Sequence, residues 1–369
     1  MSRHSLVYRR WMVRLGARAF DRVSKPLASA WRKKRRGSSG AGARRWLLVN
    51  WNHLGDAVLT TGVVRALRRA RPDDHIALLI GPWTAPLFDL AEGLDERIVL
   101  PASWRDRSAG RRAPKLSEWR RLKQELSDRT DDVLVDLAGD VFVYLLGAAA
   151  GFPECWGFSG YGAAGFLDRS VPVRIGHPQV AQWAELLSPA GVLEQDIRPK
   201  VVLSDGELNA ARAALPIDDE DAPRVGLHVG GGRPEKLLPI DWLVLFVGVA
   251  QRAGWRVDLL GSEGERGRAL AVAAHTTGCD LSGMGLDLRP LAARVSCLSA
   301  LAGPDSGLAH LSAALDVPTL AVFHSSDEHA RFSPAGMQVR TLLRPSAEEA
   351  MAAFQELLQA AATPERHEP

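Results

Sequence analysis

Short apolar runs alternate with amphipathic segments along the chain from Arg44 onward. Runs rich in Val, Ile and Leu predict buried strands, whereas apolar residues spaced three or four positions apart predict helices. In the first half, the predicted strands are Trp46–Val49, Ile76–Ile80, Ile98–Leu100 and Val133–Leu137. The predicted helices are Ala57–Arg69, Ala85–Ala91, Leu116–Leu126 and Gln179–Leu187. Such alternation indicates a parallel sheet with helices on both faces.

The same alternation begins again in the second half of the chain. The predicted strands there are Val225–Val229, Arg256–Leu260, Cys297–Ala302 and Val317–Phe323. The predicted helices are Asp241–Ala253, Leu308–Leu315 and Ala347–Ala361. We place the boundary between two domains near residue 198, which gives units of residues 44–198 and 199–345 and a final helix and tail, 346–369. Two similar α/β halves imply a cleft between them.

Two stretches of the first half fit neither pattern. Residues 105–115 are basic and irregular, which predicts an exposed loop. Five glycines lie between Gly151 and Gly165, together with Trp156, Phe158 and Tyr161, and Phe166 follows. This composition predicts loops near the cleft or, equally well, an ordinary turn-rich surface.

The net charge of +3 is unevenly distributed, because residues 1–45 carry +13 and the remainder −10. Residues 1–43 intersperse apolar residues with arginines and then contain the basic run 31–36. This pattern is typical of an amphipathic anchor on an anionic membrane surface. The alternatives are a disordered solubilising tail and a helix packed on the body. Nucleic acid is a weaker option, since no recognised binding module follows.

Composition narrows the class of protein further. Hydrophobic content of 46% and charged content of 24% are ordinary for a soluble globular protein. No apolar run reaches the ~18 residues that a membrane span needs, and recurrent arginines near the start do not fit a signal peptide. Three widely separated cysteines match no metal-ligand spacing and indicate a reducing compartment.

The stretch from Asn50 to Thr61 joins the first predicted strand to the first predicted helix, with Gly55-Asp56 at the turn. In an open parallel sheet, ligands bind outside the carboxyl ends of the strands. An acid at this place can cap the helix, or it can take a proton from a substrate hydroxyl. Asp56 is therefore a candidate general base.

A glycine run, Gly230 to Gly232, follows the first predicted strand of the second half. Glycines let backbone N–H groups approach a phosphate closely, although a plain turn has the same composition. Lys236 follows on a predicted loop, where it could neutralise a leaving phosphate. An isolated lysine in such a loop is otherwise a solvated surface residue.

A second strand-to-helix junction lies at Asp305-Ser306-Gly307. The start of the apolar helix that follows offers free N–H groups and a positive dipole to a diphosphate, or Asp305 and Ser306 merely cap it. His310 lies one turn into this helix, where a structural role is the commoner one. Glu263, with Glu265 as its close competitor, ends a strand where an acid could accept hydrogen bonds from a ribose. No cluster of metal ligands stands out.

Three blocks of sequence resemble glycosyltransferase family 9, the heptosyltransferases of lipopolysaccharide core assembly. The resemblance extends from about Arg45 to about Phe332. The first block is residues 54–61 with 64–67, and the second is the glycine run 230–232 with Lys236, Pro239 and Trp242. The third is residues 303–315 with Val317 and Pro318. It implies the GT-B fold: two Rossmann-like domains facing a central cleft, with the acceptor on the first and the nucleotide sugar on the second. It also implies that the terminal helix packs back on the first domain.

The resemblance assigns roles residue by residue. Asp56 would be the general base, and Lys236 would contact the donor phosphates. The donor-binding residues would be Gly230, Gly231, Gly232, Glu263, Asp305, Ser306, Gly307, Leu308 and His310. The acceptor-side residues would be Asn50, His53, Gly55 and Thr60. The chain departs from the family pattern in four places. Asn50 stands where a basic residue is frequent, and glycines 230–232 stand where some members have hydroxyl residues. Lys236 lacks the usual aromatic residue just before Pro239, and His324–Asp327 replaces a Gly-Pro-Thr sequence.

The function implied is inverting, metal-independent transfer of heptose from ADP-heptose to a lipid-linked, lipopolysaccharide-core-like acceptor, with no cofactor and no nucleic acid partner. The predicted location is the cytoplasmic face of the bacterial inner membrane, with residues 1–43 on its anionic surface. The alternatives are a transferase that uses another nucleotide sugar or a protein or capsule acceptor, and a non-catalytic relative that only binds a nucleotide sugar.

Overall fold

A computed structural model describes Ser24, Ala28 and residues 42–106, 114–129, 131–215 and 222–362. Within these residues the strands form two six-stranded sheets in which every pairing is parallel. The strands of the first sheet are β1 Arg45–Asn50, β2 His75–Ile80, β3 Glu96–Val99, β4 Val133–Asp136, β5 Glu154–Ser159 and β6 Arg169–Pro172. Those of the second are β7 Arg224–His228, β8 Arg256–Leu260, β9 Cys279–Asp280, β10 Ala300–Pro304, β11 Thr319–Phe323 and β12 Val339–Leu343.

Helices cover both sheets. In the first unit they are α1 Leu54–Ala70, α2 Leu116–Ser127, α3 Val141–Ala150 and α4 Gln179–Leu187. The second unit has α5 Asp205–Ala213, α6 Ile240–Arg252, α7 Arg266–Ala273, α8 Leu288–Ser296, α9 Gly307–Ala314, α10 Ser326–Phe332 and α11 Ala347–Ala362. The alternation predicted from the apolar pattern is confirmed in both halves.

The two sheets share one topology. The first has the order β3-β2-β1-β4-β5-β6, and the second has the order β12-β11-β10-β7-β8-β9. In each sheet the direction of winding reverses beside the first strand, between β1 and β4 and between β7 and β10. Ligands of such sheets bind outside the carboxyl ends of the strands at that reversal. The loops after β1, β4, β7 and β10 are therefore the places to look for a site.

The two units pack directly on each other through α1 and α9. Gly62 of α1 lies against the backbone of Arg198 and Pro199, where a Cβ atom would be 2.8 Å from both. The segment that connects the two units runs between them. Its Val201 N–H donates to the Ala314 carbonyl at 3.0 Å. Buried apolar side chains from both units form one continuous cluster across this contact, including Leu308 and Leu311.

The terminal helix corrects one expectation. It packs on the second unit, where the Phe354 ring lies 5.3 Å from that of Phe246 and 5.9 Å from that of Trp255. Ala350 and Met351 belong to the same buried cluster as β7, β10 and α6. The expected return of this helix to the first domain is wrong for the described residues, because its apolar face is covered by α6 and β11.

Most of the basic extension lies outside the described residues, including its predicted amphipathic helix and the basic run 31–36. Ser24 and Ala28 are described within it, and both are buried against the first unit. The Gly165 N–H donates to the Ser24 hydroxyl at 3.1 Å, and Ala28 lies in the cluster that contains Ala163 and Phe166. At these two positions, the extension contacts the body of the protein.

Several local predictions are corrected. The glycine- and aromatic-rich stretch 151–165 contains β5, whose residues Cys155 to Phe158 are buried, so it is not wholly loop. Only the 3-10 turn Ala85–Phe88 forms where a longer helix was predicted. The strand predicted from Cys297 begins at Ala300, because α8 reaches Ser296 and Cys297 caps it.

Candidate functional site

The turn between β1 and α1 is held by a small hydrogen-bond network. The buried Asn50 amide donates to the Thr60 hydroxyl at 2.6 Å, and the Thr60 hydroxyl donates to the Asp56 carbonyl at 2.8 Å. The Asn50 side-chain oxygen accepts from the Asn52 N–H at 2.9 Å. Asn50 and Thr60 therefore fix the backbone that carries Asp56. Both side chains are buried in this network, on the side of the cleft where the resemblance places the acceptor.

Asp56 lies in the first turn of α1 and is half-buried. His53 precedes the helix at its N-cap position without a side-chain cap, and its carbonyl accepts the first helical hydrogen bond from Ala57. A carboxylate in this turn is favoured by the helix dipole. Asp56 is thus at the carboxyl edge of the first sheet, as the sequence predicted.

A cation from the loop after β3 reaches the same edge. Arg105 donates to the Asp140 carboxylate at 2.7 Å and to the Asn52 side-chain oxygen at 3.1 Å. Burial lowers the Arg105 pKa, but the carboxylates of Asp140, Asp136 and Asp56 outweigh it, so the pKa is raised. Arg105 was predicted to lie in an exposed loop. Instead it is half-buried and contributes positive charge that acts on Asp56.

Asp136 ends β4, at the reversal point of the first sheet. Its carboxylate accepts hydrogen bonds from the backbone N–H groups of Ala138 and Asp140. Burial, followed by repulsion from Asp140, raises the pKa of Asp136 to about 7. Asp140 in turn accepts from the Trp104 indole at 2.7 Å and caps α3. These two buried acids lie at the carboxyl end of β4, beside Arg105.

The first turns of α1 and α9 lie in direct contact, which we call the α1–α9 junction. A Cβ atom on Gly307 would lie 2.7 Å from Leu54 Cβ and 3.0 Å from the Gly55 nitrogen. A Cβ atom on Gly55 would lie 3.0 Å from the His310 ring. Glycine is required at Gly307 for this approach, because a contact under 3.0 Å forces a displacement. The junction brings Asp56 close to the start of α9.

The loop before α9 holds a buried ion pair. Lys236, from the turn after β7, donates to the Asp305 carboxylate, and their side chains are 15% and 7% exposed. The Asp305 N–H donates to the Val322 carbonyl at 2.8 Å, which ties the loop to β11. The sequence left open what a carboxylate beside a phosphate site would do. Here Asp305 positions the Lys236 ammonium.

Ser306 caps α9, since its hydroxyl accepts from the Ala309 N–H at 3.4 Å. The same hydroxyl lies 3.0 Å from Nδ1 of His228 at the end of β7. Burial lowers the pKa of His228 to about 4, against an opposing effect of Glu265. His228 is therefore neutral near neutral pH and shares a hydrogen bond with the Ser306 hydroxyl. The sequence did not single out His228.

The glycine run is shaped by Glu265. A Cβ atom on Gly230 would lie 1.9 Å from a Glu265 carboxylate oxygen, and the Gly231 N–H donates to that carboxylate at 2.9 Å. Although burial raises the pKa of Glu265, hydrogen bonds from Ser262 and Gly231, together with the electrostatic effect of His228, hold it below its ordinary value. The Gly231 N–H is thus directed at a carboxylate, and Gly232 is exposed on the loop.

Glu263 lies away from this loop. Its side chain is 68% exposed and pairs with Arg266 at 2.7 Å. The structure therefore brings Glu265, the competing candidate, to the glycine run and not Glu263. The sequence alone could not distinguish the two acids, because both follow the same strand. In the structure they lie in the 3-10 turn Glu263–Glu265, and only the Glu265 side chain points toward the glycine run.

The two remaining candidates of α9 are buried. The Leu308 side chain packs in the cluster shared by both units, so a role in ligand binding is limited to its backbone. His310 is fully buried, and burial and the nearby Lys236 lower its pKa to about 4. Among the described residues, its Nδ1 atom has no hydrogen-bond partner.

No three His, Cys, Asp or Glu side chains lie together as metal ligands in the described part of the chain. Within the same residues, no helix has the length and apolar character needed to cross a membrane.

Comparisons with known proteins give one consistent result. A family model described as glycosyltransferase family 9 (heptosyltransferase) matches residues 119–360. Lipopolysaccharide heptosyltransferase 1 of Pseudomonas aeruginosa is 29% identical over 294 residues, or 76% of this chain and 78% of that protein.

Solved structures share the fold. A family 9 glycosyltransferase from Veillonella parvula superposes with a TM-score of 0.75 at 19% identity, covering 88% of this chain and 100% of that one. The ADP-heptose lipopolysaccharide heptosyltransferase II of E. coli gives 0.70 at 20% identity, covering 86% and 100%. These matches confirm the predicted GT-B arrangement of two Rossmann-like domains.

Proposed function

The chain belongs to glycosyltransferase family 9, and we propose that it transfers heptose from ADP-heptose to a lipid-linked, lipopolysaccharide-core-like acceptor. It is a glycosyltransferase of the heptosyltransferase type. The donor is supported by the E. coli relative, which is named for ADP-heptose. The acceptor is supported by the Pseudomonas relative, which is named for lipopolysaccharide.

The α1–α9 junction carries this proposal. A direct displacement at the anomeric carbon needs a base on one side of the sugar and a field that stabilises the departing diphosphate on the other. Asp56 begins one helix of the junction, and Asp305, Ser306 and Lys236 surround the start of the other. A sugar held over the junction would contact both sets.

In the proposed reaction, Asp56 accepts the proton of the acceptor hydroxyl as that oxygen bonds to the anomeric carbon. The bond from the anomeric carbon to the diphosphate breaks with inversion, and the electron pair leaves with the nucleoside diphosphate. Lys236 and the N–H groups at the start of α9 then face the added negative charge. Burial makes His228 and His310 neutral, so the positive charge near the start of α9 comes from Lys236 and not from these imidazoles.

Two further predictions concern the metal requirement and the location of the enzyme. We propose that the reaction is metal-independent, because Lys236 and the α9 start offer the positive field that a metal would otherwise provide. We also propose that residues 1–43 hold the enzyme on an anionic membrane surface, where a lipid-linked acceptor lies. The contacts of Ser24 and Ala28 with the first unit support an extension fixed beside the acceptor half.

Calorimetry with ADP, UDP and GDP on the full chain tests the donor. Selective binding of ADP is the expected result, and it justifies assays with ADP-heptose and lipid-linked acceptors. Selective binding of UDP or GDP would replace heptose by another sugar while leaving the Asp56 mechanism in place. If none of the three binds, the proposed transfer reaction is wrong.

A further inference from the structure

Two cations of the loop after β7 meet at a single carboxylate oxygen. The Arg233 guanidinium donates through Nη2 to Oε1 of Glu328. The Lys236 ammonium lies 3.7 Å from the same oxygen and also binds Asp305. Oε1 of Glu328 is therefore an anionic oxygen placed between a guanidinium and an ammonium group.

Glu328 belongs to α10, in the stretch that follows β11. Its N–H donates to the Ser325 hydroxyl at 3.5 Å, which places it in the first turn of this short helix. It comes directly after His324–Asp327, where the sequence departs from the Gly-Pro-Thr of the family. Sequence reasoning singled out neither Arg233 nor Glu328, because they lie 95 positions apart.

The charges of this cluster balance without a ligand. Arg233 and Lys236 are matched by Asp305 and Glu328, so a diphosphate would bring excess negative charge to a neutral group. Binding is favourable if one carboxylate gives up its cations. Asp305 is tied to β11 and is 7% exposed, whereas Glu328 is 24% exposed on a seven-residue helix. Glu328 is the carboxylate that can yield.

A phosphate oxygen, like Oε1 of Glu328, is an anionic acceptor that can bind a guanidinium and an ammonium group together. Guanidinium groups bind phosphate through parallel N–H donors with defined geometry, whereas an ammonium group acts as a point charge. The Arg233 and Lys236 pair combines both, one turn of chain apart. Lys236 also bonds through its backbone N–H to the Arg233 carbonyl at 3.0 Å, which fixes their spacing.

We propose that Arg233 is a second residue that binds the donor diphosphate, and that Glu328 is the carboxylate it exchanges for that diphosphate. This inference rests on the proposed function, since it requires a nucleoside diphosphate at the start of α9. Glu328 then acts as a competitor that sets donor affinity and eases release of the product diphosphate.

Calorimetry on the full chain tests the exchange with ADP and, as a probe without phosphate, adenosine. Arg233→Gln is expected to weaken ADP binding about ten-fold, the loss of one charge-assisted hydrogen bond. Glu328→Gln is expected to tighten ADP binding by about three- to five-fold, the effect of removing one competing ion pair. Adenosine affinity is expected to stay the same in both variants.

The chain offers a matched control. Glu235 also lies near Arg233, with 3.6 Å between the charged atoms, but its side chain is 65% exposed. Glu235→Gln also removes one negative charge near Arg233 and is expected to leave ADP affinity within about two-fold of the wild type. An equal gain in this control would mean that general charge, and not exchange at Glu328, is responsible, and would overturn the inference.

The double variant isolates the coupling. If Glu328 acts through Arg233, adding Glu328→Gln to Arg233→Gln gives a smaller gain in ADP affinity than it gives alone. The inference is overturned if wild-type protein binds ADP and Glu328→Gln leaves that affinity unchanged or weaker, or if Arg233→Gln weakens adenosine equally. Failure of the wild type to bind ADP, UDP or GDP is a separate outcome that removes the proposed function as well.

Discussion

The α1–α9 junction predicts a large catalytic effect from one added methyl group. In Gly307→Ala, the new Cβ atom would lie 2.7 Å from Leu54 Cβ and 3.0 Å from the Gly55 nitrogen. Carbon atoms pack best at about 3.5–4.0 Å, so the two helices must separate by about 1 Å. The obstacle includes backbone, which cannot rotate away as the end of a flexible side chain can.

That separation acts directly on the proposed reacting groups. A displacement of about 1 Å in positioned groups can lower turnover about 100-fold. The overpacking itself is expected to lower the free energy of unfolding by about 1–3 kcal/mol. We therefore expect Gly307→Ala to fold and to bind ADP, but to transfer sugar about 100-fold more slowly.

The assay is steady-state release of ADP from ADP-heptose, run beside urea unfolding. Gly267 provides the control, since a Cβ atom there meets nothing within 4 Å. Gly267→Ala is expected to keep full turnover and to gain about 0.4–1 kcal/mol of stability. Wild-type turnover in Gly307→Ala would refute the reasoning, because the two helices would then not need their close approach.

Three further variants test separate features. Lys236→Gln is expected to lower kcat about 10²–10³-fold, and adding Asp305→Asn is expected to restore thermal stability but not turnover. Asp136→Asn tests a pH effect. Because the pKa of Asp136 is about 7 in the folded protein, its carboxyl group stays protonated on folding, and its contribution to stability falls as the pH rises from about 4 to about 7. The Asn variant is expected to lack this pH-dependent loss of stability. Arg331→Ala removes the hydrogen bonds to the buried Gln179 oxygen at 2.8 and 3.1 Å between the two units, which is expected to lower the free energy of unfolding by about 1–3 kcal/mol.

Each of these has a contrary result. Recovery of turnover in the Lys236 and Asp305 double variant would show that the ammonium is structural. A wild-type pH profile in Asp136→Asn would place the titration elsewhere. Arg174→Ala is the control for the unit contact, because its pair with Glu185 is solvent-exposed and is expected to be worth under about 1 kcal/mol. An equal effect there would mean that Arg331 has no special role between the units.

The sequence predicted those parts of the site that depend on local order along the chain. Asp56 and Ser306 each lie in a short turn between a strand and a helix. Both turns could be recognised because an apolar run is followed there by Gly and Asp. Both lie at the reversal points of their sheets. The parallel α/β architecture follows from the same patterns.

Contacts between distant segments could not be predicted in this way. Glu265 and not Glu263 faces the glycine run, because the difference is the direction of a 3-10 turn. Arg105 turns inward because Asp140 and Asn52 accept its hydrogen bonds. The apolar face of α11 showed that the helix packs on something, but nothing local specified that the partner would be Phe246.

The central claim is that Asp56 takes the proton of the acceptor hydroxyl. Turnover of ADP-heptose and affinity for ADP in Asp56→Asn test it most directly, since the amide keeps the shape of the side chain and cannot act as the base. We predict that kcat falls about 10²–10⁴-fold, while the Kd of ADP stays within about two-fold. Turnover near that of the wild type in this variant would contradict the account.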